Sequence, residues 1–166
     1  EAWRVAIQHD GPVALILTRQ KLNVLDRAAL APAGELARGA YVLADAEGTP
    51  DVILIATGSE VQVVLAARDQ LAGQGIQARV VSMPSWKLFE RQPRAYRESV
   101  LPPEVTARLA VEAGVRMGWD RYVGPQGDVV SIDRFGASAP YKVIWEKFGF
   151  TGSAVAERAL ELLAHW

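Results

Sequence analysis

The chain has 166 residues, 50% hydrophobic and 22% charged, with a formal net charge of −1 at pH 7, the balance of a globular domain with one real core. Its acids and bases are interspersed, which argues against nucleic acid and against an anionic membrane surface as partners, and no apolar run approaches the roughly 20 residues of a membrane span. Cysteine is absent, which excludes disulfides, zinc–thiolate sites and thiol catalysis and agrees with a reducing cytoplasm.

At the N-terminus, Ala2, Val5 and Ala6 have helical spacing, Asp10-Gly11-Pro12 signals a turn, and Val13-Ala14-Leu15-Ile16-Leu17-Thr18 reads as a buried strand. Glu1 begins neither a signal peptide nor a natural start. The polar run from Asp26 to Arg38, with its Pro and Gly, reads as a linker. The expectation is therefore that the first helix and strand close a preceding domain. Arg19, directly after that strand, has two readings: a guanidinium placed to meet a phosphate at a strand's C-terminal end, or an arginine capping that end in solvent.

Gly39 to Leu43 reads as a short strand pairing with the next one across the Asp45–Pro50 turn. That next strand, Val52-Ile53-Leu54-Ile55-Ala56, is apolar at every position, as a central parallel strand is. Val61, Val64, Leu65 and Leu71 then recur on one helical stripe. Either Thr57 with Glu60 or Ser59 with Gln62 fits a capping box at the helix start, Gly73 and Gly75 stop the helix, and Ala78 to Met83 resumes as a strand. The unit is a right-handed βαβ crossover.

Beyond it, Ser85 caps a short helix carrying Trp86 and Phe89, and Pro93 opens a second one reaching Ser99. Arg91, Arg94 and Arg97 make a basic row at helical spacing, read as a solvated face or, with Tyr96, as a place for an anion or an acidic partner. Ala107 to Gly114 is read as a strand between Pro-Pro and Gly; Asp128 to Ile132 is another. Tyr141–Phe148 and Ser153–Ala164 read as helices, the last with Val155, Ala159, Leu162 and Leu163 on one stripe. The fold class is α/β: a three-layer, open, mostly parallel sheet of about five strands with helices on both faces.

Chemistry is sparse. His9 and His165 are the only imidazoles, and the sequence shows no carboxylate pair at working spacing, no Ser/His/acid set and no metal cluster. Gly136-Ala137-Ser138 lacks the Lys and second Gly of a phosphate loop. Thr57 to Glu60 opens a helix, but Glu60 already sits where an anion would. Asp120 and Asp133, each followed by Arg, read as loop-end ion pairs. A stand-alone binding domain would place its pocket at Ser59 and the loops around Gly58 and Gly136. An assembly module would expose Trp86, Phe89 and Trp119, whereas a plain core would bury them.

Several stretches, in order, resemble the C-terminal domain of transketolase. These are Ile55-Ala56-Thr57-Gly58-Ser59-Glu60-Val61, Val81-Ser82-Met83-Pro84-Ser85 with Phe89 and Gln92, Tyr96 through Pro102, Gly118 through Gly124, Ile132 through Pro140, and Phe148-Gly149-Phe150-Thr151. Leu17-Thr18-Arg19-Gln20 is similar to the end of that family's middle, pyrimidine-binding domain, although Lys21 stands where the family usually has Asn. The resemblance implies residues 1–22 as the end of that domain, 23–38 as linker and 39–166 as the C-terminal domain.

It also implies a cytoplasmic homodimeric enzyme of the pentose phosphate pathway. That enzyme moves two-carbon ketol units between sugar phosphates with thiamine diphosphate and a divalent cation, Mg or Ca. The cofactor motif, the activating glutamate and the substrate histidines belong to the two earlier domains. The resemblance thus implies no catalytic, cofactor or metal residue in this chain, no cofactor bound to it, and no activity of its own. The remaining domains and a second subunit would be its partners. Arg19 alone carries over, as the arginine that grips the sugar's terminal phosphate.

Overall fold

A computed structural model describes residues 1–164. In chain order the elements are α1 (Ala2–Gln8), a 3-10 turn (Ala33–Arg38), β1 (Tyr41–Ala44), β2 (Val52–Ala56), α2 (Val61–Ala72), β3 (Ala78–Ser82), α3 (Trp86–Glu90), α4 (Arg94–Val100), β4 (Arg108–Val111), α5 (Asp120–Val123), β5 (Asp128–Val130), α6 (Tyr141–Lys147) and α7 (Gly152–Ala164). The strands form one sheet in the order β1-β3-β2-β4-β5, parallel except for β1, which runs antiparallel to β3.

The period of two along β2 builds the three layers. Val52, Leu54 and Ala56 point into a core with α2 and α7, joined by Val64, Leu71, Phe150 and Val155. Ile53 and Ile55 point the other way, into a second core with Phe89, Val100, Trp119 and Tyr122 from α3, α4 and the α5 region. All five β2 side chains are fully buried, each worth about 1.5–3 kcal/mol for the larger ones. That explains a strand apolar on both faces.

Three expectations are corrected. The first strand of the sheet does not pair with β2: both edges of β2 are taken by β3 and β4, so β1 joins the free edge of β3, with Tyr41 opposite Ser82. The Arg79–Asp45 ion pair, 2.7 Å, ties the end of β1 to β3. Val13–Thr18 is not a strand and not buried; Ile16 and Leu17 are exposed. An apolar run becomes a strand only where a neighbour offers a ladder, and no described strand lies beside it.

Neither capping box forms. Thr57 makes no side-chain cap, and Gly58, at φ +54, starts a 3-10 turn. That turn carries Ser59 and Glu60 inward, where the Ser59 hydroxyl donates to Glu60 Oε1 at 2.9 Å.

Elsewhere local chemistry does what its residues predict. Ser85 Oγ accepts from the Leu88 N–H at 3.3 Å and caps α3. At the end of α2, Gly75 (φ +80) takes the left-handed conformation, and the Ile76 N–H reaches back to the Leu71 carbonyl at 3.0 Å. Leu25, Leu30, Ala31 and Leu36, from the polar stretch before β1, pack against the α2/α7 core. No described helix is long and apolar enough to cross a membrane.

Candidate functional site

The chain leaves β2 through α2 to β3 on one side, then returns to β4 on the other. The boundary between β2 and β4 is therefore the topological switch point of the sheet, and open α/β sheets bind ligands outside the strand C-termini there. A cleft of about 380 Å³ lies at this edge. Thr57 follows β2, Met83 and Pro84 follow β3, and Glu112 follows β4; Trp86, Gly114, Val115, Met117 and Trp119 complete the lining.

Its aromatic wall is fixed by close packing. Trp86 meets Trp119 edge to face, centroids 5.0 Å apart and planes at 88°, an arrangement favoured by the ring quadrupoles. Gly118 has φ +92, and a Cβ there would come within 2.8 Å of the Trp86 ring, so only glycine lets the loop lie this close.

The carboxyl group that lines the cleft is Glu112, with the buried Glu60 near enough to act on its charge. Burial, and behind it the charge of Glu60, push the Glu112 carboxyl up to about 7. Glu60 is itself raised by burial, which outweighs the opposing hydrogen bond from Ser59. Near neutral pH the pair therefore carries less than its full negative charge. It offers hydrogen-bond acceptors, and one donor when protonated, but repels phosphate.

The sequence-predicted sites fare as follows. Ser59 is buried with its hydroxyl turned to Glu60, so Thr57 takes its place at the cleft. Gly136 is exposed and away from the lining. Phe89 and Trp119 are buried and Trp86 is half-buried, the outcome that favours core over an exposed aromatic patch.

Arg19 is exposed in an irregular stretch. Asp120 pairs with Arg116 at 3.2 Å. Asp133 accepts from the Arg116 backbone N–H at 2.9 Å rather than from an arginine side chain. His165 lies outside the described residues.

Sequence reasoning missed Glu112 and with it the carboxylate pair. Its signal was positional: a glutamate immediately after a buried parallel strand stands at the edge where ligands bind. Spacing along the chain could not reveal a pair contributed by the segments that follow two different strands. Among the described residues, no group of three or more His, Cys, Asp or Glu could hold a metal ion.

A family model described as the transketolase-like TK C-terminal domain matches residues 39–151. The transketolase of Aquifex aeolicus is 52% identical over 161 residues, 96% of this chain and 23% of that protein. A crystal structure of transketolase from Campylobacter jejuni superimposes with a TM-score of 0.85 at 35% identity, over 96% of this chain and 24% of that one. A split-gene transketolase solved as an inactive β4 tetramer gives a TM-score of 0.61 at 25% identity, over 77% of this chain and 43% of that one. The chain spans about a quarter of the length of the Aquifex relative. An open sheet with β1 antiparallel at its edge, two cores and a match running through both place this chain in the transketolase family, as its C-terminal domain.

Proposed function

We propose that this chain serves as the C-terminal domain of a ketol transferase that moves two-carbon units between sugar phosphates, and that it does not catalyse that transfer alone. The observation that carries the reading is the identity of 52% spread over 96% of this chain but only 23% of the related enzyme. The chain's own residues do not fit thiamine diphosphate or its cation. The cleft presents the Glu112 carboxyl toward any diphosphate, and the described residues hold no cation cluster. The cofactor and its Mg or Ca then belong with parts of the enzyme beyond these residues, and this domain contributes structure and assembly within a cytoplasmic homodimer. The inactive tetramer of the split-gene relative supports assembly without activity.

Within that reading, residues 1–22 close the pyrimidine-binding domain, 23–38 link, and 39–166 form the C-terminal domain, with Arg19 gripping the substrate's terminal phosphate. Exposure of Arg19 and of the apolar Ile16 and Leu17 beside it supports a segment whose packing partners are other parts of the enzyme. The test is a ketol-transfer assay with thiamine diphosphate and Mg. The 166-residue chain alone is expected to be inactive; turnover by it would overturn the reading. In the full-length enzyme, Arg19→Gln is expected to raise KM for a phosphorylated ketose about tenfold or more, the scale of one charge-assisted contact. A non-phosphorylated donor should be little affected, and equal losses on both would remove Arg19 from phosphate binding.

A further inference from the structure

The cleft at the switch point has a chemistry that ketol transfer does not use. Glu112 is the one charged group in its lining. Burial and the Glu60 carboxyl act on the Glu112 charge, and no basic group among the described residues does. The cation of the same loop is committed elsewhere, since Arg116 pairs with Asp128 at 2.8 Å and with Asp120 at 3.2 Å. Gly114 leaves room for the carboxyl: a Cβ there would stand 3.3 Å from Glu112 Oε1. Thr57, at the end of β2, keeps its hydroxyl out of the helix cap, so that group can still accept or donate.

Much of the remaining lining is apolar and open to water. Met117 is 81% exposed and Val115 56%, two large apolar side chains on one short loop. Its backbone is pinned: the Gly114 carbonyl accepts from the Ile132 N–H at 2.7 Å, and the Arg116 N–H donates to Asp133 Oδ1 at 2.9 Å. Met83 and the half-buried Trp86 continue the apolar surface. Apolar side chains held in water on a fixed loop, next to a cleft, suit contact with an apolar group.

An occupant must match an uncompensated carboxyl group beside an apolar surface. A hard metal cation takes six or more oxygen ligands, and no group of three or more His, Cys, Asp or Glu among the described residues could hold one. A neutral polyol could hydrogen-bond to Glu112 and Thr57, but it would leave the charge unanswered and the apolar mouth in water. We propose that this cleft binds an organic ammonium ion with an apolar body, the ammonium on the Glu112 carboxyl and the Thr57 hydroxyl, the body against Trp86, Val115 and Met117. A volume of about 380 Å³, at the small end for ligand sites, suits one ring and a short chain. Because Glu112 and Glu60 repel a second anion, the ligand is an amine without carboxylate or phosphate, of the kind that decarboxylation of an apolar amino acid leaves.

The test is isothermal titration calorimetry of the full-length enzyme carrying this domain, with phenethylamine, its neutral isostere 2-phenylethanol and the anion phenylacetate at constant ionic strength. Saturable binding of the amine is expected, with the alcohol about tenfold weaker or more and phenylacetate not bound. Poised at about 7, Glu112 should release a fraction of a proton as the ammonium binds at pH 7, read as a heat that varies with the buffer's ionisation enthalpy. Glu112→Gln should weaken the amine about tenfold, the loss of one charged contact, and remove the buffer dependence. Met117→Lys, at an exposed position with little effect on folding, should weaken it severalfold by setting a cation at the mouth. Ketol transfer enters none of these readouts, so the result stands apart from that reading. No binding of the amine, equal binding of amine and alcohol, or an unchanged affinity in Glu112→Gln overturns the site.

Discussion

Arg108 Nη1 donates to the Tyr122 carbonyl at 2.9 Å, and the same guanidinium reaches Val105 O at 2.8 Å, Pro102 O at 2.8 Å and Leu101 O at 3.3 Å. One cation thus satisfies four carbonyls at the entry to β4 and joins the Pro-Pro turn to the end of α5. Burial lowers its pKa, against the pull of Glu104, but an arginine stays charged. Arg108→Met keeps the stem and strands the carbonyls, so a loss of about 2–4 kcal/mol is expected in urea unfolding. Arg108→Lys should recover only part of it, because an ammonium cannot span four acceptors. A loss below about 1 kcal/mol in the Met variant would show that water replaces the guanidinium freely.

The contrast between β2 and Val13–Thr18 shows what the sequence carries and what it does not. Both runs are apolar, and composition alone calls both strands. Only β2 has neighbours to complete its ladder, and pairing is a property of the sheet rather than of the run. The same reason hides the partner of β1: Tyr41 to Ala44 reads as a strand, but the edge it joins depends on where the βαβ crossover has already placed β3.

At the site, Glu60 was visible as a first-turn residue. Its relation to Glu112 was not, because strand order, not spacing, brings the C-terminal ends of β2 and β4 together. Helix caps built from consecutive residues, such as Ser85 on Leu88, were legible. The box at Thr57 was not, since the φ +54 of Gly58 turned Ser59 and Glu60 inward.

Gly39 tests close backbone approach. It has φ +85, and a Cβ there would lie 2.2 Å from Phe89 N and 2.4 Å from Ser85 O, while its carbonyl accepts from the Ser85 N–H at 2.9 Å. Gly39→Ala must move α3 off the start of β1, and a loss of about 3 kcal/mol or more is expected. Gly48 is the control, with a nearly identical φ of +86 and nothing within 4 Å of its Cβ position. Gly48→Ala should lose only the left-handed strain, about 1–2 kcal/mol. Equal losses in thermal unfolding would mean that backbone strain, not the α3 contact, decides both.

Asp128 governs the acid limb of stability. Burial opposes its charge, but Arg116 at 2.8 Å and Arg158 at 2.6 Å outweigh it, and the carboxyl is held below its usual value of 3.8. The unfolded chain therefore takes up the proton first as pH falls. The contribution of Asp128 is complete well above pH 3.8 and is lost as pH drops through the depressed folded value. Asp128→Asn is expected to cost about 1–2 kcal/mol at pH 7, discounted because both arginines are half-exposed. Wild type and variant should converge near pH 2, and a constant gap down to that pH would assign the cost to packing instead.

Glu112 acts in the opposite direction and at a different pH. Its folded value of about 7 lies above the ordinary 4.5, so between these the folded protein keeps a proton that the unfolded chain has released. Stability should fall as pH rises through this window and level off above it. The full shift corresponds to at most about 3.4 kcal/mol. Solvent at the cleft screens the charge, which reduces the expected effect to about 1–2 kcal/mol. Glu112→Gln removes the ionisation and relieves Glu60 of a like charge, so the variant should unfold at a temperature about 2–6 °C higher than wild type at pH 8. At pH 5 the difference should vanish. A variant as pH-sensitive as wild type would move the titration to Glu60, the other member of the pair; a variant less stable at pH 8 would mean that the ionised Glu112 makes a contact worth more than its burial costs.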